Sequence, residues 1–425
     1  MQQNFVFIVN KNKQQLNPVT PKQARRLLEK GKTAVYRMYP FTLVLKTEIA
    51  NPTIRPLTLK IDPGSKFTGI ALLDGENVIW CAELEHRGYQ IKNALLSRRQ
   101  LRSSRRNRKT RYRKPRFNNR KRGDNWLPPS LEHRILTTQT WVKRLMRYAP
   151  ITELWIEKVK FDMQQMQNPE VSGVEYQQGT LKGYQVREYL LEKWGRECTY
   201  CGKKDVSLQI EHIYPKSKGG SNRVSNLCLA CEKCNHKKGN KLVEEFLKKK
   251  CELLNKIKSK AKQPLKDAAA VNATRNKLVK TLSDLLSTKT ATGAQTKFNR
   301  IRLNFDKRHW IDAACVGDVD NLKLLTNQPL KIKCNGHGTR QMCRTNKYGF
   351  PTRYVPRFKF VNGFQTGDIV KAVVTTGKKA GTYLGRVATR STGSFNISTK
   401  NGLVQGISYK YCKTIHKKDG YSYAF

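Results

Sequence analysis

Acidic residues are scarce in this chain. Its 425 residues carry 31 Asp plus Glu against 83 Lys plus Arg, a formal net charge of +52 and a pI near 10.2. A compact body with that imbalance repels itself unless a polyanion neutralises it. The balance excludes a small acidic or neutral cytosolic enzyme and favours a nucleic-acid binder. Proteins that do no chemistry share such charge, so it names a class of partner and no activity. Long apolar runs are also missing, since no stretch approaches the roughly 18 uninterrupted apolar residues of a membrane span. The opening MQQNFVFIVNKNKQQLNP has too short an apolar run and no small-residue cleavage site, so it does not read as a signal peptide. A disulfide framework is lacking as well. The eleven cysteines are odd in number, and Cys198, Cys201, Cys228, Cys231 and Cys234 crowd into 37 residues, a pattern of metal binding in a reducing compartment. The chain is expected to be intracellular and soluble.

What is present is enough for two to four domains of ordinary size. An apolar share of 38% with 9% aromatics, much of it in alternating runs, argues against a disordered chain. Residues 1–55 read as a small α+β unit. FVFIV and TLVLK are its strands, and PKQARRLLEKGK is a helix with Pro21 near its start and Gly31 at its end. LTLKID, FTGIALLD and NVIWCAEL follow as strands joined by tight turns. From His86 to Gly123 there are sixteen Lys or Arg and no acid. Within that run Arg98, Arg102, Arg105, Lys109 and Arg113 recur at helical steps, Leu95, Leu96 and Leu101 supply an apolar face, and Pro115 ends or kinks the helix. Residues 131–149 are helical in pattern, and ELWIEKV is a strand. Residues 160–185 read as a polar connector. The Cys-rich insert spans roughly 190–241, and residues 242–285 alternate Leu with Lys at helical spacing. From about 330 the pattern is all β, with eighteen Lys or Arg against Asp368 and Asp419.

The most specific signal is CTYC followed by LQIEHIYPKSKGGSNRVSNLCLACEKCN. Cys198, Cys201, Cys231 and Cys234 supply four thiolates, the soft tetrahedral set that Zn²⁺ prefers. The 29 residues between the pairs exceed zinc-ribbon spacing, so the loop contains something of its own. It holds Glu211 and His212 at the end of an apolar run, the Gly219-Gly220 turn and Asn226, with Asn235 following the second pair. A His beside a carboxylate, with an amide arriving later, suits proton abstraction from water next to a hard divalent ion and a phosphate. On the cysteine pairs alone a purely structural zinc ribbon would be preferred; the added residues reverse that weighting. The constellation resembles the HNH nuclease family over about fifty residues. The resemblance implies His212 as general base, Glu211 and Asn235 as Mg²⁺ ligands and Asn226 as the residue fixing the loop. Asn235 stands where many relatives carry the final His, with His236 next to it. Cys228 reads as a buried small apolar residue that could swap into the zinc shell.

Three acidic segments are separated along the chain. LKIDPGSKFTGIAL puts Asp62 at a strand end, ELWIEKV puts Glu157 at another, and HWIDAACVGD sets His309 and Asp312 three apart on one helical face. Carboxylates inside apolar segments are costly to bury, and a cluster of them suits two Mg²⁺ ions about 3.5–4 Å apart flanking a phosphate. Each segment alone reads as turn chemistry or a surface pair. In this order they resemble the split motifs of a RuvC-type, RNase H-like nuclease, which implies that Asp62, Glu157, His309 and Asp312 surround catalytic Mg²⁺ (or Mn²⁺).

The order of parts, together with DAAAVNATRNKLVKTL, GFQTGDIVKAVV and DGYSY, resembles the IscB family of transposon-associated RNA-guided DNA endonucleases, relatives of the type II CRISPR effector. One departure is Gln15-Leu16-Asn17-Pro18, where that family carries Pro-Leu-Met-Pro. The resemblance implies an α+β multidomain protein whose RNase H-like (RuvC) α/β core is split by an arginine-rich bridge helix and a ββα-metal HNH insert, with a C-terminal β-rich domain. Its boundaries would be an N-terminal domain over 1–55, RuvC parts over 56–90, 124–185 and 246–328, the bridge helix over 91–123, the HNH domain over 186–245 and the β domain over 329–425. It further implies a guide (omega) RNA held by Arg98, Arg99, Arg102, Arg105, Arg106, Lys109 and Arg113, and a double-stranded DNA target with an adjacent motif read by the C-terminal domain. HNH would cut the guide-paired strand and RuvC the displaced one. Structural Zn²⁺, a monomeric protein in a ribonucleoprotein, no membrane partner and a prokaryotic, nucleoid-associated cytoplasmic location complete the expectation. Two alternatives are a protein-only homing or restriction-type HNH endonuclease and a non-catalytic RNA-binding transposon protein.

Overall fold

The computed structural model describes residues 3–49, 51–107, 126–158, 182–248, 250–261, 266–338, 343–348, 350–354 and 358–425. It is a mixed α+β protein with several sheets, and no helix among the described residues is long and apolar enough to cross a membrane. The N-terminal unit is a four-stranded sheet of β1 (Val6–Val9), β2 (Gln15–Val19), β3 (Thr33–Arg37) and β4 (Thr42–Leu45), in the order β2-β1-β4-β3. The helix Pro21–Glu29 starts at Thr20, whose Oγ1 accepts from the Gln23 amide while the Gln23 side chain accepts from the Thr20 amide. That reciprocal cap satisfies two otherwise orphaned donors. The Gln15-Leu16-Asn17-Pro18 stretch lies in β2.

The central sheet positions the chemistry. Strands β5 (Leu57–Pro63), β6 (Phe67–Asp74) and β7 (Asn77–Glu85) form an antiparallel meander, and β8 (Ile151–Glu157) lies parallel to β5 on its other side. β11 (Thr288–Ala291) extends the sheet parallel to β8, giving β11-β8-β5-β6-β7. Side chains alternate across a strand, and both faces of β6 are covered. Ile70 and Leu72 join Ile61, Trp141, Leu145, Leu278 and Leu282 in the core beneath the helices Pro129–Met146 and Lys266–Ser283. Ala71 and Leu73 meet Trp310, Ile311 and Ala314 of the short helix His309–Ala314 on the opposite face. That two-sided burial explains why β6 reads as a near-continuous apolar run. Gly69 is required where this short helix approaches, because a Cβ there would lie 1.8 Å from the His309 carbonyl oxygen.

Residues 189–261 form a second core. The helix Lys182–Trp194, the hairpin of β9 (Leu208–His212) and β10 (Leu227–Cys231), the helix Glu232–Lys238 and the helix Cys251–Ala261 surround Tyr189, Leu190, Cys228, Leu229 and Ile257. This core continues past residue 245, where the sequence boundary was drawn, because Leu247, Ile257 and Ala261 complete it. Cys228 is fully buried there, with its Sγ 3.5 Å from the Tyr200 hydroxyl, apart from the other cysteines.

The expected all-β unit over 329–425 divides in two. β12 (Lys323–Leu324) and β13 (Leu330–Cys334) pair in parallel with β7, and β21 (Tyr421–Ala424) pairs antiparallel with β13, so residues from the chain's last segment complete the central sheet. Between them lie the hairpin of β14 (Cys343–Thr345) and β15 (Pro351–Tyr354) and a five-stranded antiparallel sheet. The latter consists of β16 (Ile369–Val374), β17 (Gly381–Ala388), β18 (Ser394–Thr399), β19 (Gly402–Ser408) and β20 (Cys412–His416). Asp419, in the DGYSY stretch, accepts from Arg144 at 3.0 Å, lies near Arg37 and His416, and ties the last strand to the helix Pro129–Met146. Burial would raise its carboxyl, but hydrogen bonds to His416 and Tyr423 and the Arg144 charge outweigh it and hold it down to about 2.

The basic helix runs from Gly88 to Asn107 and packs against the helix Pro129–Met146 near its start. The sequence suggests Leu95, Leu96 and Leu101 as a packed face, but Leu96 and Leu101 are 53% and 54% exposed. Among the described residues no protein surface covers Leu96 and Leu101. Lys109, Arg113 and Pro115 lie outside the described residues, as do the Arg105 side chain and most of the connector over 160–185.

Candidate active site

Cys198, Cys201, Cys231 and Cys234 converge with their sulfurs within 4.8 Å of one another. Cys198 and Cys201 flank a tight turn that begins after the helix Lys182–Trp194, Cys231 ends β10 and Cys234 lies on the following helix. The Sγ atoms of Cys201 and Cys231 are 3.7 Å apart. Four thiolates about 2.3 Å from a tetrahedral Zn²⁺ would stand about 3.8 Å from one another, so the donor set and its spacing fit that ion. Burial alone would raise the Cys198 thiol, but hydrogen bonding at the Cys231, Cys201 and Tyr200 backbone brings it down to about 7, towards the ligating thiolate. Cys201→Ser is expected to weaken zinc retention by more than the roughly 10–100-fold typical of a supporting residue and to lower the protection of residues 189–261. Metal analysis with hydrogen exchange checks both.

Beyond this cluster the hairpin displays the Glu-His pair. His212 Nε2 lies 2.9 Å from Asn222 Oδ1, which fixes the imidazole at the mouth of the loop. Asn226 holds that loop shut: its Oδ1 accepts from the Tyr214 amide at 2.8 Å, and its Nδ2 donates to the Tyr214 carbonyl at 3.0 Å and the Ser221 carbonyl at 2.8 Å. Glu211 sits among different groups. Lys238, fully buried, donates to Glu211 Oε1 at 2.6 Å and to the His212 carbonyl at 2.8 Å, and Asn235 donates to Gln209 Oε1 at 2.6 Å. Glu211 on β9 therefore faces the helix Glu232–Lys238, where an ammonium already matches the carboxylate, and Asn235 on that helix faces back to β9. In this arrangement Glu211 Oε1 is engaged by the Lys238 ammonium. Lys238 was not legible in the sequence, where it is one of many lysines in a basic stretch; only its position three residues after Asn235, on the same helical face, marks it.

The second constellation forms at the sheet. Ile61 pairs with Ile156 in parallel register, so Asp62 and Glu157 end neighbouring strands on the same edge. The helix His309–Ala314 crosses β5 and β6 there and brings Asp312 and His309 to them. All four line one cavity of about 930 Å³, which Arg196, Arg275, Arg300 and Lys307 also line. Burial raises Asp62 well above the ordinary carboxyl range, helped by the charges of Glu157 and Asp312 and opposed by Arg275 and Arg196. Asp312 is also raised by burial, although Arg300 lies 2.7 Å away. Arg275 reaches Glu157 at 3.8 Å and donates to the Pro63 carbonyl at 2.8 Å. Burial lowers His309, which keeps its imidazole neutral, stacked at 5.1 Å on Phe67. Three carboxylates driven against their own repulsion suit hard cations by charge and donor type. They are more spread than the cysteines, and among the described residues they are not one of the groups whose ligand atoms all fall within 4.8 Å. The arginines had no sequence signal beyond their charge, and the sequence could not show which basic residues fold inward. Glu211 and His212 do not line this cavity, so the two constellations are spatially distinct. Arg98, Arg99, Arg102 and Arg106 are exposed along the basic helix.

A family model described as RRXRR protein matches residues 6–179, and one described as HNH endonuclease matches residues 198–251. No curated protein matches the chain. Among solved structures it is similar to Streptococcus thermophilus Cas9 in complex with the GGAA PAM, at 12% identity and a TM-score of 0.24, over 61% of this chain and 32% of that one. It is also similar to the type II-C Cas9 enzyme from Actinomyces naeslundii, at 17% identity and a TM-score of 0.16, over 46% of this chain and 29% of that one. The chain thus spans about a third of the length of these structures, and scores of this size fix no shared architecture.

Proposed function

We propose that this chain, which an RRXRR protein model matches over residues 6–179 and an HNH endonuclease model over residues 198–251, is an IscB/Cas9-like RNA-guided DNA endonuclease with two active sites. The observation that carries the reading is the convergence of Asp62, Glu157 and Asp312 at one sheet edge, in a chain that also holds an HNH endonuclease domain. The order β7-β6-β5-β8-β11, three strands antiparallel and two parallel, supports an RNase H-like, RuvC-type core over the sheet.

In the HNH unit, His212 accepts the proton of an attacking water while Asn222 holds the ring and Asn226 holds the loop that carries it. Glu211 remains matched by Lys238, and no step is assigned to a metal there. At the sheet edge, Asp62, Glu157 and Asp312 are the residues that would hold Mg²⁺ or Mn²⁺, whose chemistry is to activate water and neutralise the leaving oxygen. Arg196, Arg275, Arg300 and Lys307 draw a phosphodiester into the cavity, and neutral His309 is available to accept a proton beside it. The exposed arginines of the basic helix suit the phosphates of a structured guide RNA. Guide pairing would supply sequence choice, and the five-stranded C-terminal sheet would read a short adjacent motif in duplex DNA. HNH would cut the guide-paired strand and RuvC the displaced strand.

Purification followed by nuclease digestion of bound RNA tests the reading. Protein isolated from cells is expected to carry a long RNA, and its digestion to abolish cleavage at a defined site. Site-specific cleavage that survives digestion would instead make this a protein-only HNH endonuclease.

A further inference from the structure

We propose that His86, His133 and Cys334 form a second transition-metal site, of a class suited to Zn²⁺, which fastens the foot of the basic helix to the central sheet. Their ligand atoms all lie within 4.8 Å of one another, and they come from three separate parts of the fold. His86 directly follows β7, His133 lies in the first turns of the helix Pro129–Met146, and Cys334 ends β13. The inference is independent of the nuclease reading.

His86 is 6% exposed, and its Nδ1 is buried with no hydrogen-bond partner among the described residues. Its Nε2 lies 2.8 Å from Thr68 Oγ1. If Nε2 carries the proton and donates it to Thr68, the Nδ1 lone pair is left facing the cluster. A hydrogen bond from the second ring nitrogen is how ligating histidines are usually oriented. His133 Nδ1 lies 3.3 Å from Thr137 Oγ1, and its Nε2 accepts only a long 3.3 Å bond from the Arg87 amide, which a metal at Nε2 would displace. Burial and the neighbouring arginines hold His86 down to about 3 and His133 to about 4, so both rings are in the neutral, ligating form. Cys334 is 3% exposed and burial pushes its thiol up to about 12, so taking up a metal releases a proton. The thiolate so formed offsets part of the repulsion between a dication and Arg87 and Arg134. Bonds of about 2.0–2.3 Å around tetrahedral Zn²⁺ require the donors to close by about 1 Å, within reach of side-chain rotation. Three protein ligands leave the fourth position to water, and His86 borders the cavity from which water would arrive.

The test counts metal in the full-length protein. After removal of metal with a chelator, Zn²⁺ is returned in the presence of excess Mg²⁺, which occupies the oxygen-donor sites. Wild-type protein is expected to retain one equivalent more than Cys334→Ser or His133→Gln, and Cys201→Ser to retain this equivalent. Uptake of Co²⁺ should show a thiolate charge-transfer contribution that disappears in Cys334→Ser. Equal zinc content in wild type and either folded variant would overturn the proposal. Should neither variant fold, wild-type protein decides alone: saturation at two equivalents supports the site and saturation at one overturns it.

Discussion

His212→Ala is expected to slow cleavage of the guide-paired strand by about 10²–10⁴-fold, the contribution of a positioned general base, while the displaced strand is cut at close to the wild-type rate. The geometry predicts this selectivity. His212 is fixed by Asn222 on the β9–β10 hairpin and does not border the carboxylate cavity. The Asn226 loop hydrogen bonds come from the amide and from backbone groups of Tyr214 and Ser221, so they survive the substitution. Labelling the two strands with different dyes and resolving the products on a denaturing gel measures each rate separately. Loss of both cuts with DNA binding intact would mean that the two constellations do not act independently.

Asp62→Asn should give the mirror image, a protein that cuts only the guide-paired strand. Lewis-acid stabilisation is worth several kcal/mol and each 1.36 kcal/mol is tenfold in rate, so cleavage of the displaced strand should fall by at least about 10²-fold. The same change separates catalysis from folding. Burial and the charges of Glu157 and Asp312 raise the Asp62 carboxyl. A raised carboxyl binds its proton more tightly in the folded state, so it favours the fold at low pH, and that contribution is lost as pH rises through the folded pKa. In metal-free buffer at pH 8 the variant should therefore melt no lower than wild type, and the difference should shrink towards pH 4. A variant that melts well below wild type at pH 8 would show that Asp62 stabilises the fold, contrary to its placement here.

Features set by local chemistry were legible in the sequence. Paired cysteines announce a metal because two residues of spacing place both sulfurs on one turn, and the four do converge. Asp62 and Glu157 could be placed at strand ends because each closes a short apolar run, and the register of β5 and β8 then makes them neighbours. Features set by distant partners were hidden. β13 and β21 carry patterns no different from those of the five-stranded sheet, and only the pairing of β13 with β7 and of β21 with β13 assigns them to the central one. Lys238 and Glu211 are 27 residues apart, and no periodicity shows that one long basic side chain turns inward to meet that carboxylate. The leucines of the basic helix misled in the opposite direction, because an apolar spacing shows that a face could pack but not that a surface awaits it.

The β13–β21 pairing has an architectural consequence. Ile332 lies opposite Tyr423 and Cys334 opposite Tyr421, and the amides of Asn335 and Gly336 both donate to the Gly420 carbonyl. Everything from β14 to β20 thus leaves and re-enters the scaffold at adjacent points, as a cassette between two touching posts. A cassette anchored this way can be exchanged for one of different length or preference while the posts, and the carboxylates on the same sheet, stay in register. Grafting across Asn335 and Gly420 would be the natural splice for altering the outer module without disturbing the edge that carries Asp62 and Glu157.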